Sequence, residues 1–302
     1  MNCLVTGGAG FIGSNLVDKL LLKGHKVIAL DDKSSGSTSY WNDDAHNWEI
    51  SVTNYSGLSN ICRHYKPAWI FHLAAESNIQ SAIEKPQDAC MTNVIGTCNI
   101  LQAAKECGAR VMYSSTSAAY GLKNNPPLKE EMPTDCLNPY SVTKVSGEAL
   151  CKMYYDLFNV ETIIFRYFNV YGNRQRHQGQ YAPVIGTFLN QHKSCQKLTV
   201  VGDGKQTRDY IHVDDVVSAN ILAAESKNKQ AFGEIFNIGS GKAYNVLEIA
   251  EMISPNNIKY IPARLGEVKD SLCDNIKAKN ILNWNPEGSV INYIKGELKN
   301  NV

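Results

Sequence analysis

The sequence predicts an α/β fold, a doubly wound parallel sheet followed by a smaller C-terminal α/β domain. Three observations predict it. Short apolar runs alternate with segments of helical period. A glycine-rich turn joins the first run to the first helix, and 302 residues are enough for one large domain or two smaller ones.

Asn2 to Val5 is the first apolar run, stopping at Thr6-Gly7-Gly8-Ala9-Gly10. From Phe11 to Leu22 the apolar residues Ile12, Leu16 and Leu20, with Val17 and Leu21 beside them, recur at helical spacing. Gly24 ends that helix, and Val27 to Leu30 is a second strand closing on Asp31-Asp32. The alternation continues with a strand at Trp69 to Leu73, a helix from Thr92 to Cys107 and a strand at Arg110 to Ser115. A helix from Pro139 to about Phe158 and a strand at Thr162 to Phe168 follow. Right-handed crossovers place the carboxyl ends of such strands along one edge, where these sheets bind ligands. After Asn169 the pattern loosens into a polar loop (Arg174 to Gly179) and a turn at Gly202-Asp203-Gly204. A strand and helix (Tyr210 to Ala224) and a strand (Ile235 to Ile238) are expected to return to the main sheet. The expected division is residues 1–168 with 211–239 returning to them, and 169–302 as mainly a substrate-binding domain.

Composition narrows the function classes. Thirty Lys and Arg against 29 Asp and Glu leave a net charge of +1, which advertises neither a nucleic acid nor a membrane surface as partner. Nine scattered cysteines without a CxxC pair point away from a metal cluster and toward small buried residues kept reduced. No metal site is expected. Met1 leads almost directly into the first strand, and no apolar run is long enough to span a bilayer, so a cytoplasmic location is expected.

Gly7, Gly10 and Gly13 stand between a strand and a helix, as a Rossmann-like dinucleotide turn requires. Glycine lets backbone approach a pyrophosphate resting on the helix N-terminus. The spacing is GxxGxxG, and by itself such a turn can merely join strand to helix. Asp31, ending the second strand, suits an adenosine ribose and would repel a 2′-phosphate, which favours NAD over NADP. Further on, Asn138 and Pro139 suit an N-cap and a first helical position, so Tyr140 and Lys144 share one helix face. A lysine ammonium near a phenol favours the phenolate and makes a general base near neutral pH. Ser114-Ser115-Thr116 end the preceding strand, where a hydroxyl can meet the reacting oxygen.

Taken in order, TGGAGFIG, HLAA (His72 to Ala75), SSTSAAYG, YSVTK, RYFNVYG and RDYIHVDD resemble the extended short-chain dehydrogenase/reductase family of sugar-nucleotide epimerases and dehydratases. The resemblance runs to about Asn283. It implies NAD as cofactor, held by Gly7, Gly10, Phe11, Ile12, Gly13, Asp31, Asp32, Ser51, Val52, Leu73, Ala74, Ala75, Asn93 and Tyr167 with Tyr140 and Lys144. Relatives usually carry an acidic residue where Ser51 stands, so this chain departs from the family's pattern at the adenine contact. The resemblance implies Thr116, Tyr140 and Lys144 as the catalytic set. It assigns the substrate, a nucleotide sugar of the UDP type, to Ser77, Thr116, Asn169, Val201, Arg208, Arg264 and Ser271, with the two arginines on the diphosphate. It also implies a homodimer formed through the helix of Thr92 to Cys107 and the one beginning at Pro139. On the second of these, Leu150, Tyr154 and Leu157 read equally well as monomer core.

Members share oxidation of the sugar at C4 and differ afterwards. Dehydratases carry an Asp-Glu pair directly after the strand-end Thr, and xylose-forming decarboxylases a Glu in this segment. Here Ser117-Ala118 follow, which can do neither acid nor base work near pH 7. The economical expectation is 4-epimerisation; dehydration, a glucuronate-type reaction and a non-catalytic NAD-sensing module are the alternatives. A serine at 271, where many UDP-hexose 4-epimerases narrow the pocket with an aromatic, suggests tolerance of an N-acetyl group at C2.

Overall fold

The structure, a computed structural model, describes residues 1–175, 183–262 and 268–300, with every side chain in those stretches except Thr38 and Asn300. Its strands are β1 (Asn2–Thr6), β2 (Lys26–Asp31), β3 (His46–Glu49), β4 (Trp69–His72), β5 (Arg110–Thr116) and β6 (Thr162–Tyr167). After these come β7 (Asn169–Tyr171), β8 (Leu198–Val201), β9 (Thr207–His212), β10 (Glu234–Ile238), β11 (Ala243–Asn245) and β12 (Ile258–Ile261). Seven form one parallel sheet in the order β10-β6-β5-β4-β1-β2-β3. The order reverses between β1 and β4, so the loops leaving those two strands diverge and leave a crevice at their carboxyl ends.

The central strands form because both faces are covered. One face of the sheet carries Cys3, Val5, Val27, Ala29, Phe71, Met112 and Phe165 against the helices Phe11–Leu22 and Val213–Glu225. The other carries Leu4, Ile28, Ile70, Val111, Tyr113 and Ile164 against Tyr55–Tyr65, Gly96–Cys107 and Pro139–Phe158. Strand β3 differs: all four of its side chains are exposed, and its backbone extends the β2 edge.

Two expectations need correcting. The helix expected from Thr92 begins at Pro86 and is interrupted by a wide π-turn at Met91–Ile95 before Gly96–Cys107. Such turns rotate one residue off the regular helix face, and Asn93, inside this one, is buried. The segment Tyr210 to Ala224 divides: its helix packs on the main sheet, whereas its strand, β9, joins β7 and β11 in a small separate sheet. Strands β8 and β12 pair in parallel beside the helices Val184–Lys193 and Val246–Ile253 around a third core. No helix among the described residues is long and apolar enough to cross a membrane.

Candidate active site

The glycine turn after β1 leaves a cradle that side chains cannot share. Gly7 has φ +69°, and a Cβ there would lie 2.8 Å from the Ala74 nitrogen at the end of β4. At Gly13 it would lie 2.0 Å from the Gly7 carbonyl oxygen. Gly10 caps the helix Phe11–Leu22 with no side-chain hydrogen bond, so the first-turn N–H groups face the crevice mouth. At the end of β2, buried Asp31 accepts from the Ala9 nitrogen at 3.0 Å and the Lys33 nitrogen at 2.7 Å. Burial pushes its carboxyl up, and these two backbone hydrogen bonds oppose the rise. Asp32 is exposed and caps Ser34. Phe11 and Ile12 are half-buried at the helix start. Ser51 follows β3 and pairs with Thr53, while Val52 is buried against Gly96. This combination fits a dinucleotide: an uncapped helix N-terminus, a cradle closed to any Cβ, and a carboxylate at the neighbouring strand end.

The loop after β4 is held by a chain of hydrogen bonds whose direction is fixed. Thr97 Oγ1 donates to the Asn93 carbonyl at 2.6 Å, so it can only accept from His72 Nε2 at 3.0 Å. His72 Nδ1 then accepts from Thr6 Oγ1 at 2.8 Å, and Thr6 Oγ1 accepts from the Ala74 nitrogen at 3.2 Å. Burial, helped by the Lys144 ammonium, pushes His72 down to about 3, so the imidazole is neutral and keeps this single tautomer. The Asn93 side chain does not open toward the crevice. It accepts from the Glu76 nitrogen and donates to the Glu76 carbonyl and to Thr143 Oγ1. Leu73, Ala74 and Ala75 line the half-buried start of this loop, and Ser77 beyond them is exposed.

Helix Pro139–Phe158 begins with a reciprocal cap: Asn138 accepts from the Ser141 nitrogen, and the Ser141 hydroxyl reaches back to the Asn138 nitrogen. Its first turn brings Tyr140 beside Thr116 at the end of β5. The Thr116 hydroxyl accepts from the Ala118 nitrogen at 3.1 Å and is near enough to Tyr140 to favour the phenolate. The neighbouring hydroxyls have other partners: Ser114 donates to Tyr167 at 3.2 Å and Ser115 to Glu148. Tyr167 also accepts from Asn220 at 2.8 Å, and burial pushes its phenol up to about 12. Lys144 is 3% exposed, with Nζ 4.6 Å from the Tyr113 ring centroid. Burial pushes Lys144 down to about 8. One expectation is corrected here. In the free chain Tyr140 is raised, because burial disfavours the phenolate more than the nearby Thr116 hydroxyl favours it.

On the far side of the crevice, Asn169 donates to the Asp209 carbonyl at 3.1 Å. The Arg208 guanidinium donates to the carbonyls of Thr207 and Lys269. The buried Asp209 carboxylate accepts from Ser240, Gly241 and Cys273. The Ser271 nitrogen donates to the Thr207 carbonyl at 3.1 Å, and its side chain is 7% exposed. Val201 ends β8 and is half-buried. Arg264 lies outside the described residues. Three polar assemblies escaped the reading of the sequence: the His72 chain, the Asp209 clasp and the Glu148–Arg166 ion pair. Only Glu148 left a trace, four residues beyond Lys144.

Residues 3–239 match the family described as the NAD dependent epimerase/dehydratase family. The chain belongs to this family. It is 36% identical over 298 residues, 95% of this chain and 94% of the relative, to a UDP-glucose 4-epimerase of Mycolicibacterium smegmatis. Among solved structures it resembles a UDP-glucose 4-epimerase of Thermotoga maritima bound to UDP-glucose, with a TM-score of 0.94, 34% identity and coverage of 99% and 98% of the two chains. It also resembles a UDP-N-acetylglucosamine 4-epimerase of Methanobrevibacter ruminantium in complex with UDP-N-acetylmuramic acid, with a TM-score of 0.92, 30% identity and coverage of 99% and 97%. Like its family, the chain is an NAD-dependent enzyme, and the glycine cradle and Asp31 are its own residues suited to that cofactor.

Proposed function

We propose that this epimerase/dehydratase family member interconverts the C4 epimers of a UDP-sugar, with Thr116, Tyr140 and Lys144 as its catalytic residues. The observation that carries the reading is the placing of Tyr140 beside Thr116 at the strand end, one helical turn before the buried Lys144. Bound over the glycine turn, NAD would supply a hydride acceptor able to return what it takes. The chain supplies the proton chemistry: the Tyr140 oxygen, once ionised in the loaded site with its own proton released to solvent, takes the proton of the sugar O4 hydroxyl and later gives it back. Thr116 orients that oxygen by hydrogen bonding, and the Lys144 ammonium favours the phenolate. Arg208 and Asn169, on the far side, hold the diphosphate together with Arg264, which lies outside the described residues, and Ser77 and Val201 complete the substrate site.

Epimerisation is favoured over dehydration by the side chains around Thr116. Ser117 and Ala118 follow it in a short turn. Glu130, the next acid along the chain after Thr116, accepts from the Asn237 nitrogen at 2.8 Å and so is tied to β10. Incubation with UDP-glucose or UDP-N-acetylglucosamine, read by the anomeric proton signals, tests the reading. It predicts galacto products, and a 4-keto-6-deoxy product would exclude it.

We further propose that Ser271 leaves room for an N-acetyl group at C2, so that UDP-N-acetylglucosamine is accepted along with or instead of UDP-glucose. The solved relative that is a UDP-N-acetylglucosamine 4-epimerase is consistent with this. Ser271→Tyr is expected to lower kcat/KM for the N-acetylated sugar at least about tenfold more than for UDP-glucose, a difference on the order of 1.4 kcal/mol. Equal losses on both sugars would exclude a role for this position in selection.

The homodimer is part of the same proposal. Tyr154, read from the sequence as either core or interface, is buried within the monomer. Its neighbours on the outer faces are not: Ile95, Val142, Leu157 and Phe158 are exposed, at 44%, 49%, 68% and 40%. Two copies pairing these helices would bury a continuous apolar face. Ile95→Asp with Val142→Asp is expected to halve the mass seen by equilibrium sedimentation; a wild-type monomer would refute the pairing.

A further inference from the structure

Between the helix Pro139–Phe158 and the sheet lies an ion pair in an otherwise apolar layer. Glu148 is 4% exposed and Arg166 2%. Arg166 Nε donates to one carboxylate oxygen at 2.9 Å and Nη2 to the other at 2.7 Å, a bidentate match. Ser115, the residue before Thr116, donates to the same carboxylate. The central carbon of the guanidinium lies over the Tyr120 ring, 4.7 Å from its centroid. Tyr120 in turn donates to Asn237 at 2.6 Å. Tyr113, Cys151 and Ile164 make the surrounding layer apolar.

A pair like this is a poor device for stability. Desolvating two charges costs about as much as their attraction returns, and apolar residues of similar volume often do as well or better. Its placement is more telling. Glu148 stands one turn beyond Lys144 on the same helix, Ser115 precedes Thr116, and Arg166 precedes Tyr167. The three residues touch the back of every element that carries the proposed catalytic set.

We propose that the Glu148–Arg166 pair is a positioning device: it holds helix Pro139–Phe158 in register with β5, and its carboxylate is the standing anion that keeps Lys144 charged. This rests on the reading of Tyr140 and Lys144 as the proton-transfer pair. The groups facing Lys144 single out Glu148. Burial lowers Lys144, while Cys151 and then Glu148 oppose that fall. The Cys151 thiol is itself driven well above its ordinary value by burial, so near neutral pH it carries no charge to offer. From β5, Tyr113 presents a neutral ring, its phenol raised by burial. From β4, His72 is neutral. Arg166, on β6, is bound to Glu148. Tyr140, on the same helix, is protonated. Among the described residues facing Lys144, Glu148 is the remaining negative charge.

The test titrates Lys144 by NMR in the full chain labelled with ¹³C,¹⁵N-lysine and free of substrate, the resonance being assigned by its loss in Lys144→Met. Glu148→Gln is expected to lower the Lys144 midpoint by on the order of one pH unit, and Glu148→Asp to restore most of it. The double variant Glu148→Gln, Arg166→Met removes both charges at similar volume; it is expected to melt cooperatively and still show the lowered midpoint. A double variant that folds with the wild-type midpoint overturns the proposal. One that cannot fold also overturns it, since the pair would then be a requirement of the fold. The pH profile of kcat with UDP-glucose should move in the same direction while KM stays within about twofold. A shifted NMR midpoint in a chain that epimerises nothing would sustain the device and remove the proposed reaction instead.

Discussion

Tyr140→Phe is expected to lower turnover of a UDP-sugar by about 10²- to 10⁴-fold, the range for removing a positioned general acid or base, while leaving cofactor and substrate bound. The argument is geometric. Phenylalanine keeps the ring that packs in the first turn after the Asn138 cap and loses only the oxygen beside Thr116. It leaves the half-buried ring in place, so the melting temperature should hold. Steady-state kinetics with calorimetric titration of UDP checks this. A variant within tenfold of wild type would mean that another group moves the proton. Thr116→Val should give a smaller loss, because it removes an orienting partner and not the oxygen that exchanges the proton.

Gly13→Ala is expected to have the largest effect on the cofactor. The added methyl would lie 2.0 Å from the Gly7 carbonyl oxygen, a backbone atom that cannot swing aside as a side-chain tip can. Gly7 is itself held against Ala74 of the β4 loop, so relief would have to open the strand–helix turn. Overpacking this close to a backbone atom falls at the upper end of the usual cost, about 3 kcal/mol, or on the order of a hundredfold in NAD affinity. NAD carried through purification, released by denaturation and measured by absorbance, is expected to fall to a trace. Gly296→Ala makes a matched control: nothing lies within 4 Å of its added methyl, and as a helical glycine it should gain slightly. Full NAD occupancy in Gly13→Ala would show that the cofactor does not lie over this turn.

How much of this was legible in the sequence depended on whether a residue's role is local. The buried strands β1, β2, β5 and β6 were readable because both of their faces must be apolar, and the caps Asn138 and Pro139 because capping is decided within one turn. Strand β3 was not readable: His46, Asn47, Trp48 and Glu49 are all exposed, and only the free edge of β2 makes them a strand. The π-turn at Asn93 was hidden for a similar reason, since its polar partners Glu76 and Thr143 come from distant parts of the chain. The candidate site divides the same way. The glycines, Asp31, Tyr140 and Lys144 announce themselves by spacing. Glu148 and Arg166 become a pair only when β6 lies behind the helix, and Asp209 becomes a clasp only when 239–241 and 273 fold onto it. Even the direction in which Tyr140 is shifted required the structure, because burial of the phenol outweighs what helical spacing alone suggests.

The measurement that bears most directly on the central claim is conversion of UDP-glucose carrying deuterium at C4, with no NAD added beyond what the protein holds, followed by NMR. The account predicts UDP-galactose that retains deuterium at C4, because the hydride removed from that carbon returns to its opposite face. Galactose formed with hydrogen from water at C4, or a keto sugar accumulating in its place, would contradict it.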